Sequence, residues 1–344
     1  MKEVSQKLRL RPSEEEQKRL VKRFTENSEA YDLYIKGRYC WSRRSAESLK
    51  RAVEYFEQAI EKDPRYALPY AGLADCYIIY GGYGVESPRQ AGPKALAAVT
   101  RALQIDDTLA EAHASRGLVR ELYEWDLDGA AREFERSIEL DPNYATAHQW
   151  YGEFLSAQGR YDEAVASLKR ALQLDPASLV INTGVGSQLH LAHRYDEAIE
   201  QVRNALKMDA SFARGHWTLG QSYEQKENYS EAISELEKAL ELSQGSPQCL
   251  GALGHAYAVA GMRQKALRTL SDLQQMAKIR YVSPYEPVLI YTGLSEKERA
   301  FEWLERAFED RAWAVMWLKV DPRLDPLRDD PRFSSLLRPI GLEQ

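Results

Sequence analysis

The chain has 344 residues, of which 46 are Lys or Arg and 52 are Asp or Glu, so its formal net charge is −6. This mild acidity argues against a general nucleic-acid binder, which needs a basic surface to displace counterions from phosphates. Hydrophobic residues make up 44% and charged residues 28% of the chain, a composition typical of a folded protein and too apolar for disorder. The length suits two domains or one elongated array.

The cysteines and the hydropathy pattern predict where the protein works. Cys40, Cys76 and Cys249 are an odd number and lie far apart, so we expect neither a disulfide framework nor a metal cluster. A reducing compartment fits this pattern, and we predict a cytoplasmic location. The first residues carry no apolar signal-peptide core, and no run approaches the roughly 18 apolar residues of a membrane helix. We therefore expect no membrane insertion.

A short charged helix is predicted near the start of the chain. Ser13 suits an N-cap, and Glu16 three residues later can reach back to it, which is the pattern of a capping box. The helix would run from about Glu14 to Phe24.

A repeat with a constant interval organises the middle of the chain. Its first column is Gly152, Gly186, Gly220 and Gly254. Three further columns stay in phase: Ala164, Ala198, Ala232 and Ala266; Leu168, Val202, Leu236 and Leu270; and Ala171, Ala205, Ala239 and Leu273. The small residues predict two helices that approach closely, and the bulky residues fill the space between them. Because one such hairpin cannot bury its apolar face alone, neighbouring hairpins must stack.

The units on either side keep the columns but carry insertions. The interval from Gly37 to Ala52 in the first unit exceeds the regular one, from Gly152 to Ala164, so the turn at residues 43–47 should be longer by three residues. The excess of the second unit falls on a glycine-rich loop at residues 81–89, and the third unit is one residue longer. We interpret the loop as a surface insertion; the alternative is that its Tyr83 and Pro88 dock a partner at the edge. Val288 stands in the glycine column of the last unit. We count eight units, with irregular ones at both ends, where open apolar faces must be covered.

These columns resemble the tetratricopeptide repeat (TPR), whose pattern is W-x2-L-G-x2-Y, then A-x3-F, then P. Residues Tyr151–Pro176 and Leu219–Leu240 fit that pattern well. The resemblance implies an all-α fold, a right-handed TPR superhelix (α-solenoid) of about eight helical hairpins with a C-terminal helical cap. The array would span residues 29–309, between an N-terminal helix or joint at residues 1–28 and a capping segment at residues 310–344. Two unrelated helical bundles are the alternative, and the constant phase argues against them.

The tail carries three Asp-Pro pairs, Asp321-Pro322, Asp325-Pro326 and Asp330-Pro331. Each Asp can cap a short helical turn that has Pro at its first position. Apolar residues among them would close the final hairpin, namely Leu324, Leu327, Phe333, Leu336 and Leu337. A binding motif is the alternative interpretation, and we favour a cap because a solenoid needs one.

Segments from about Lys7 to Leu342 are similar to the TPR regions of one group of bacterial signalling proteins. The more specific marks are RYVSPYEPVLIYTGL in the last unit and VDPRLDPLRDDPRF in the tail. In that group the array follows a winged-helix DNA-binding domain, a Ser/Thr kinase or a nucleotidyl-cyclase module. The resemblance implies that residues 1–28 are the joint before the repeats and that the array serves signal transduction. We transfer none of the effector activities, because their motifs are missing from this sequence.

The search for catalytic and cofactor motifs is nearly empty. The sequence has no H-E-x-x-H, C-x-x-C, G-x-S-x-G or Walker loop, so we expect no enzyme activity, no cofactor and no metal. His113, His148 and His216 share one repeat position, where packing between helices is favoured over metal binding. His190 and His193 lie three residues apart without an obvious third ligand.

Stacked hairpins coil into a superhelix whose concave surface is lined by the first helix of each unit. Positions three residues before the column glycine, and one and five residues after it, should point inward. They and their neighbours predict a partner groove at Gln149, Glu153, Thr183, Ser187, His190, Trp217, Gln221, Glu224, His255 and Tyr285. Trp217 and Tyr285 are the candidate exposed aromatic anchors, although Trp217 could instead pack between repeats. TPR arrays that clamp a C-terminal carboxylate use Lys, Arg and Asn here, so these residues favour an extended peptide, a helix or a partner domain.

We therefore predict a non-catalytic protein–protein interaction scaffold that binds a peptide or partner domain in its groove. It would be the sensor or recruitment part of a bacterial signalling protein, without a nucleic-acid partner of its own. Two alternatives stay open: an intramolecular regulator of an upstream effector domain, and a small-ligand sensor or enzyme accessory that uses the inner channel. Self-association is a further option, since the ends of a solenoid expose apolar edges when caps fail.

Overall fold

The structure is a computed structural model and describes residues 25–342, which are mostly helical and contain no β-strand. Eight antiparallel hairpins follow one another: α1 (Ser28–Ser42) with α2 (Ala46–Lys62), α3 (Ala67–Ile79) with α4 (Pro88–Ile105), α5 (Ala110–Val119) with α6 (Leu127–Leu140), α7 (Ala145–Ala157) with α8 (Tyr161–Leu174), α9 (Leu179–Leu191) with α10 (Tyr195–Met208), α11 (Ala213–Gln225) with α12 (Tyr229–Leu242), α13 (Pro247–Val259) with α14 (Arg263–Met276), and α15 (Tyr285–Gly293) with α16 (Lys297–Glu309). The predicted all-α superhelix of about eight hairpins is confirmed. The helix predicted at Glu14–Phe24 lies outside the described residues.

Short helices follow the last hairpin. They are two 3₁₀ helices, Trp313–Trp317 and Pro322–Leu327, then α17 (Pro331–Leu337) and a final 3₁₀ turn, Arg338–Ile340. Asp321 and Asp330 cap the helices that begin at the following Pro, as predicted. The expectation for Asp325 was wrong, because Pro326 lies inside the helix Pro322–Leu327; Asp325 instead accepts a hydrogen bond from Arg328 Nε at 2.6 Å. We call residues 313–327 the tail segment.

The glycine column exists because the two helices of each unit nearly touch. A Cβ atom on Gly37 would lie 2.5 Å from the Phe56 ring, and one on Gly186 would lie 2.3 Å from Val202 Cγ2. The same clash recurs in the other units, at Gly117 against Phe134, Gly152 against Leu168 and Gly220 against Leu236. Each glycine therefore faces the bulky column residue of its partner helix, and the columns are packing positions.

We predict that Gly186→Ala lowers the free energy of unfolding by about 1–3 kcal/mol, because an extra methyl overpacks the core of the fifth unit. Gly184→Ala is the matched control on the same helix. A Cβ there has ordinary contacts, the nearest being Glu153 Oε1 at 3.5 Å. The control should be stabilised by roughly 0.5–1 kcal/mol, since Ala favours a helix over Gly. Urea unfolding of both variants measures the difference; equal effects would contradict it.

A second periodic feature ends the first helix of each regular unit. Gly159, His193, Glu227, Gly261 and Ser295, spaced by the same interval as the column glycines, all have positive φ, between 59° and 82°. A left-handed residue closes the end of a helix, and Gly is the usual choice. Because only two of the five are Gly, this column was not visible in the sequence. Arg44 has the same role at the end of α1, with φ +53°.

The repeat position shared by three histidines has a structural role at the turns between units. His113, His148 and His216 each place Nε2 3.0 Å from the backbone carbonyl six residues earlier. Asn182 donates to the equivalent carbonyl of Pro176 at 3.0 Å, and Tyr70 to that of Pro64 at 3.3 Å. This column therefore ties the first helix of a unit to the turn before it.

The second and third units, which both carry insertions, contact the C-terminal half of the array. The extra residue of the third unit is accommodated by a π-helical turn at Arg120–Glu124, which ends at Trp125. The Trp125 ring lies 5.9 Å from that of Phe308, and Arg89 Nε donates to the Glu309 carbonyl at 2.6 Å. In the glycine-rich loop, a Cβ on Gly84 would lie 3.0 Å from Pro247. The loop is thus not a surface insertion; it packs against the seventh unit.

No helix between residues 25 and 342 is both long enough and apolar enough to span a bilayer.

Candidate functional site

A cavity of about 860 Å³ lies inside the superhelix, and we call it the central cavity. Part of its lining comes from the end of α1, the turn after it and the end of α3. Another part comes from the first turns of α9, α11 and α13, and Trp313 and Trp317 of the tail segment complete it. Ser42, Arg43 and Gln244 line it and are exposed, so the cavity is open to solvent.

The lining of the central cavity combines aromatic rings with charges. The aromatic residues are Tyr39, Tyr83, Trp150, Phe212, Trp217, Trp313 and Trp317. The basic residues are Arg43, Arg44, Arg51, Arg214 and Arg280, and the acidic residues are Glu47, Glu121, Glu153, Asp175 and Asp209. Large rings bury much apolar area at a small cost in conformational entropy, so they make good anchors for a ligand.

The tail segment fills a large part of the concave surface. Only about 80 Å³ of space is left between it and helices α9, α11 and α15, and we call this space the tail pocket. That volume holds a few water molecules and is too small for a peptide. Met316, Leu318 and Leu324 of the tail segment are fully buried. The tail segment is therefore part of the core, and the central cavity is what remains open.

A buried ion pair holds the tail segment. Arg323 Nε and Nη2 donate to the two carboxylate oxygens of Asp321 at 2.9 and 2.6 Å, and Tyr285 Oη of α15 donates to Asp321 Oδ2 at 2.9 Å. Asp321 is 3% and Arg323 is 9% exposed. Burial alone would raise the pKa of Asp321, but Arg323 and the hydrogen bonds hold this pKa well below its usual range.

His190 lines the tail pocket and is almost fully buried. Burial, with a smaller contribution from the positive charge of Arg323, lowers the pKa of His190 to about 3. The imidazole is therefore neutral at pH 7 and lies 3.3 Å from Ser222 Oγ through Nδ1. Residues 25–342 contain no group of three or more His, Cys, Asp or Glu side chains that could hold a metal ion.

The structure separates the ten predicted groove residues. Gln149, Glu153 and Trp217 line the central cavity. Ser187, His190, Gln221 and Tyr285 line the tail pocket. Glu224 and His255 face each other, with Oε1 2.9 Å from Nδ1, and Thr183 Oγ1 donates to the Leu179 carbonyl at 2.8 Å. Eight of the ten are less than a tenth exposed, and Glu153 and Trp217 are half-buried.

The two aromatic candidates have different environments. Tyr285 is 3% exposed under the tail segment, where it bonds Asp321, so it is not an exposed anchor. Trp217 is half-buried, and its ring borders both the central cavity and the tail pocket. Trp217 is therefore the predicted aromatic residue that a partner can still reach.

Sequence reasoning missed several residues of the central cavity. Arg44 belongs to an inserted turn, Arg214 lies in the first turn of α11, and Trp313 and Trp317 belong to the tail segment. Tyr83, in the other inserted turn, was considered only as a contact at the edge of the array. None of them occupies an inward position counted from the column glycine. The irregular spacing of the first two units was the only signal that pointed to those turns.

Comparison with known proteins supports this description of the array. Residues 121–182 and residues 192–247 each match a family described as a tetratricopeptide repeat. The chain contains tetratricopeptide repeats. The TPR array also resembles a chain in the crystal structure of the APC/C hetero-tetramer Cut9–Hcn1, with a TM-score of 0.59 and 17% identity over 90% of this chain and 54% of that one. That likeness shows the fold alone.

Two further proteins match a smaller part of this chain. A stretch of 133 residues is 25% identical to the transcriptional regulator HilA of Salmonella typhimurium, covering 39% of this chain and 24% of the regulator. The matched stretch of this chain thus spans about a quarter of that protein's length. YrrB, a TPR protein described as having an unusual peptide-binding site, is 24% identical over 58% of this chain and 98% of its own, with a TM-score of 0.36.

Proposed function

We propose that this chain is a non-catalytic protein-interaction scaffold that binds a peptide or loop of a partner protein in the central cavity. The observation that carries the proposal is the aromatic lining of that cavity. Its volume of about 860 Å³ lies within the range of roughly 300–1,000 Å³ typical of ligand clefts. The tail segment occupies the neighbouring concave surface, so the partner would contact Trp217, Trp313 and Trp317 at the border of the two.

We further propose that the array is the sensor or recruitment part of a bacterial signalling protein and works in the cytoplasm. The similarity to the regulator HilA supports a role beside a regulatory domain. The three cysteines are free and buried, as they would be in a reducing compartment. Residues 29–309 would be the array and residues 310–344 its cap.

An intramolecular regulator is the second candidate. Its support is the same alignment, in which the related stretch is about a quarter of a longer protein. In that case the segment bound in the central cavity would come from the effector domain of the same polypeptide. Fusing the effector to the array should then block binding of an added peptide.

Trp217→Ala should weaken the binding of a selected peptide about tenfold or more, because it removes one of the large rings that line the site. Random octapeptides displayed on phage would be selected on the immobilised chain, and the affinity of the best one measured by fluorescence anisotropy. Trp303→Ala is the matched control, since Trp303 is also half-buried but stacks with Arg306 on α16, outside the cavity. Equal affinities for both variants would remove the central cavity as the site.

A further inference from the structure

We propose that the segment bound in the central cavity is acidic, with Asp or Glu side chains beside an apolar or aromatic residue. This inference rests on the proposed function and specifies the partner of the same site. It comes from arginine side chains in the lining of the cavity that form no ion pair with a described carboxylate, and from buried N–H groups of lining residues that have no acceptor.

Arg44 is the strongest of these groups. It lines the central cavity, is only 9% exposed, and stacks its guanidinium 3.8 Å from the centre of the Trp41 ring. Within residues 25–342 no carboxylate forms an ion pair with it, and its Nε has no hydrogen-bond partner. Burial lowers the pKa of Arg44, and the charge of Arg214 adds to that effect, while Tyr83, Glu153 and Asp75 offset only part of it. A buried guanidinium without a partner is costly, and an anionic ligand would remove that cost.

Four other N–H donors of residues that line the same cavity also lack a hydrogen-bond partner. The Nε atoms of Arg214 and Arg280 and the Nε1 atoms of Trp217 and Trp317 are buried and have no hydrogen-bond partner in the described part of the chain. These four groups and the guanidinium of Arg44 are all N–H donors, and a buried N–H donor needs an acceptor. Guanidinium groups match carboxylates especially well, because their parallel N–H bonds meet both carboxylate oxygens.

Helix termini add to the positive potential of this lining. The first turns of α11 and α13 face the cavity, and no side chain caps either of them. The backbone N–H groups of a first helical turn carry a partial positive charge and attract anions. In α9, by contrast, Ser178 Oγ accepts from the Ile181 amide at 3.3 Å.

The acidic residues of the lining do not neutralise Arg44 and Arg214. Burial and the nearby Glu153 raise the pKa of Glu121 to about 8, so Glu121 is largely neutral at pH 7. Asp209 already accepts two bonds from Ser211, at 2.8 and 2.6 Å, and Glu153 accepts one from Gln149 at 2.9 Å. Glu47 is exposed at the rim, and Asp175 forms no ion pair with either arginine. Arg44 and Arg214 therefore have no directly paired carboxylate among the described residues, and the charges of Glu153 and Asp75 act on Arg44 without an ion pair.

The backbone conformation at Arg44 allows a glycine substitution to test the role of its guanidinium. Its φ of +53° is one that glycine adopts without strain, and in the fourth and seventh units Gly159 and Gly261 hold the equivalent helix end. Arg44→Gly therefore removes the guanidinium and suits the turn. The variant should keep the fold, so a loss of binding would report the missing charge.

The test is the composition and charge dependence of the selected octapeptides. Selection on the wild-type chain should enrich Asp and Glu next to an aromatic or apolar residue. A synthetic copy of the best peptide should lose binding about tenfold or more when its Asp and Glu become Asn and Gln, and its affinity should fall as salt is raised. A copy with phosphoserine in place of Asp, and free inorganic phosphate as competitor, distinguish carboxylate from phosphate recognition.

Arg44→Gly and Arg214→Gln should each weaken the acidic peptide about tenfold, with melting temperatures unchanged or higher. Arg136→Gln is the control, because Arg136 is half exposed, pairs with Glu139 and lies outside the lining. Enrichment of neutral or basic peptides, or unchanged affinity in both arginine variants, would overturn the acidic specificity and leave the scaffold proposal in place. Failure to enrich any peptide on the wild-type chain would overturn both.

Discussion

Asp321→Asn should lower the free energy of unfolding by about 3–5 kcal/mol. The side chain keeps its size and can still cap the helix at Pro322, but the charge opposite Arg323 is lost. Arg323 would then be a buried cation without a partner, since its two carboxylate bonds, at 2.9 and 2.6 Å, are both to Asp321. Breaking a buried pair from one side is among the most costly of single substitutions. Urea unfolding followed by circular dichroism measures the loss.

The tail offers its own matched control for this substitution. Asp330-Pro331-Arg332 repeats the motif of Asp321-Pro322-Arg323, with the same backbone cap and the same side-chain pair. Arg332, however, is 42% exposed where Arg323 is 9%. Asp330→Asn should therefore cost much less, because solvent and the two bonds from Arg332 to Glu298, at 2.7 and 3.0 Å, compensate the arginine that is left. The double substitution Asp321→Asn with Arg323→Met should recover much of the stability; a double variant as unstable as the single one would contradict this account.

Glu121→Gln and Glu286→Gln should each stabilise the protein by about 5 kcal/mol at alkaline pH and very little at acidic pH. The two carboxyl groups are 2% and 6% exposed. Burial, aided by the charge of Glu153 for Glu121, raises the pKa of both from 4.5 to about 8. The folded chain thus keeps two protons that the unfolded chain releases. Wild-type stability should fall as pH rises from about 4.5 to about 8 and level off above that.

Thermal or urea unfolding at a series of pH values checks this prediction. The stability difference between each variant and the wild-type chain should grow through that interval, since Gln mimics the protonated acid. Glu305→Gln is the control because Glu305 is exposed on α16. Parallel curves for the wild type and Glu121→Gln would show that Glu121 ionises in the folded chain as easily as in the unfolded one. Glu286 lines the tail pocket. If the stability of Glu286→Gln falls less steeply with pH than that of the wild type, the wild-type carboxyl group stays protonated in that pocket.

The insertions in the second and third units have defined structural roles. The extra residue of the third unit became a π-helical turn, and the glycine-rich loop of the second unit became a contact with the seventh. The spacing located both insertions, but it could not show what they touch. A residue count along the chain measures length, and the direction of an irregular turn depends on what packs against it.

The sequence by itself determined the eight hairpins, their columns and the capping Asp residues, because these follow from contacts within a unit and between neighbours. A close approach such as that of Gly186 to Val202 recurs in the fourth and sixth units, at Gly152 and Gly220, and leaves a periodic trace. Only the tertiary structure decided which part of the concave surface stays open. The tail segment lies on α15 and the inner helices through contacts such as Tyr285 with Asp321, 36 residues apart, and Arg44 of the first unit lines the same cavity as Arg214 of the sixth. Such meetings occur once each in the superhelix, so no repeat in the chain records them.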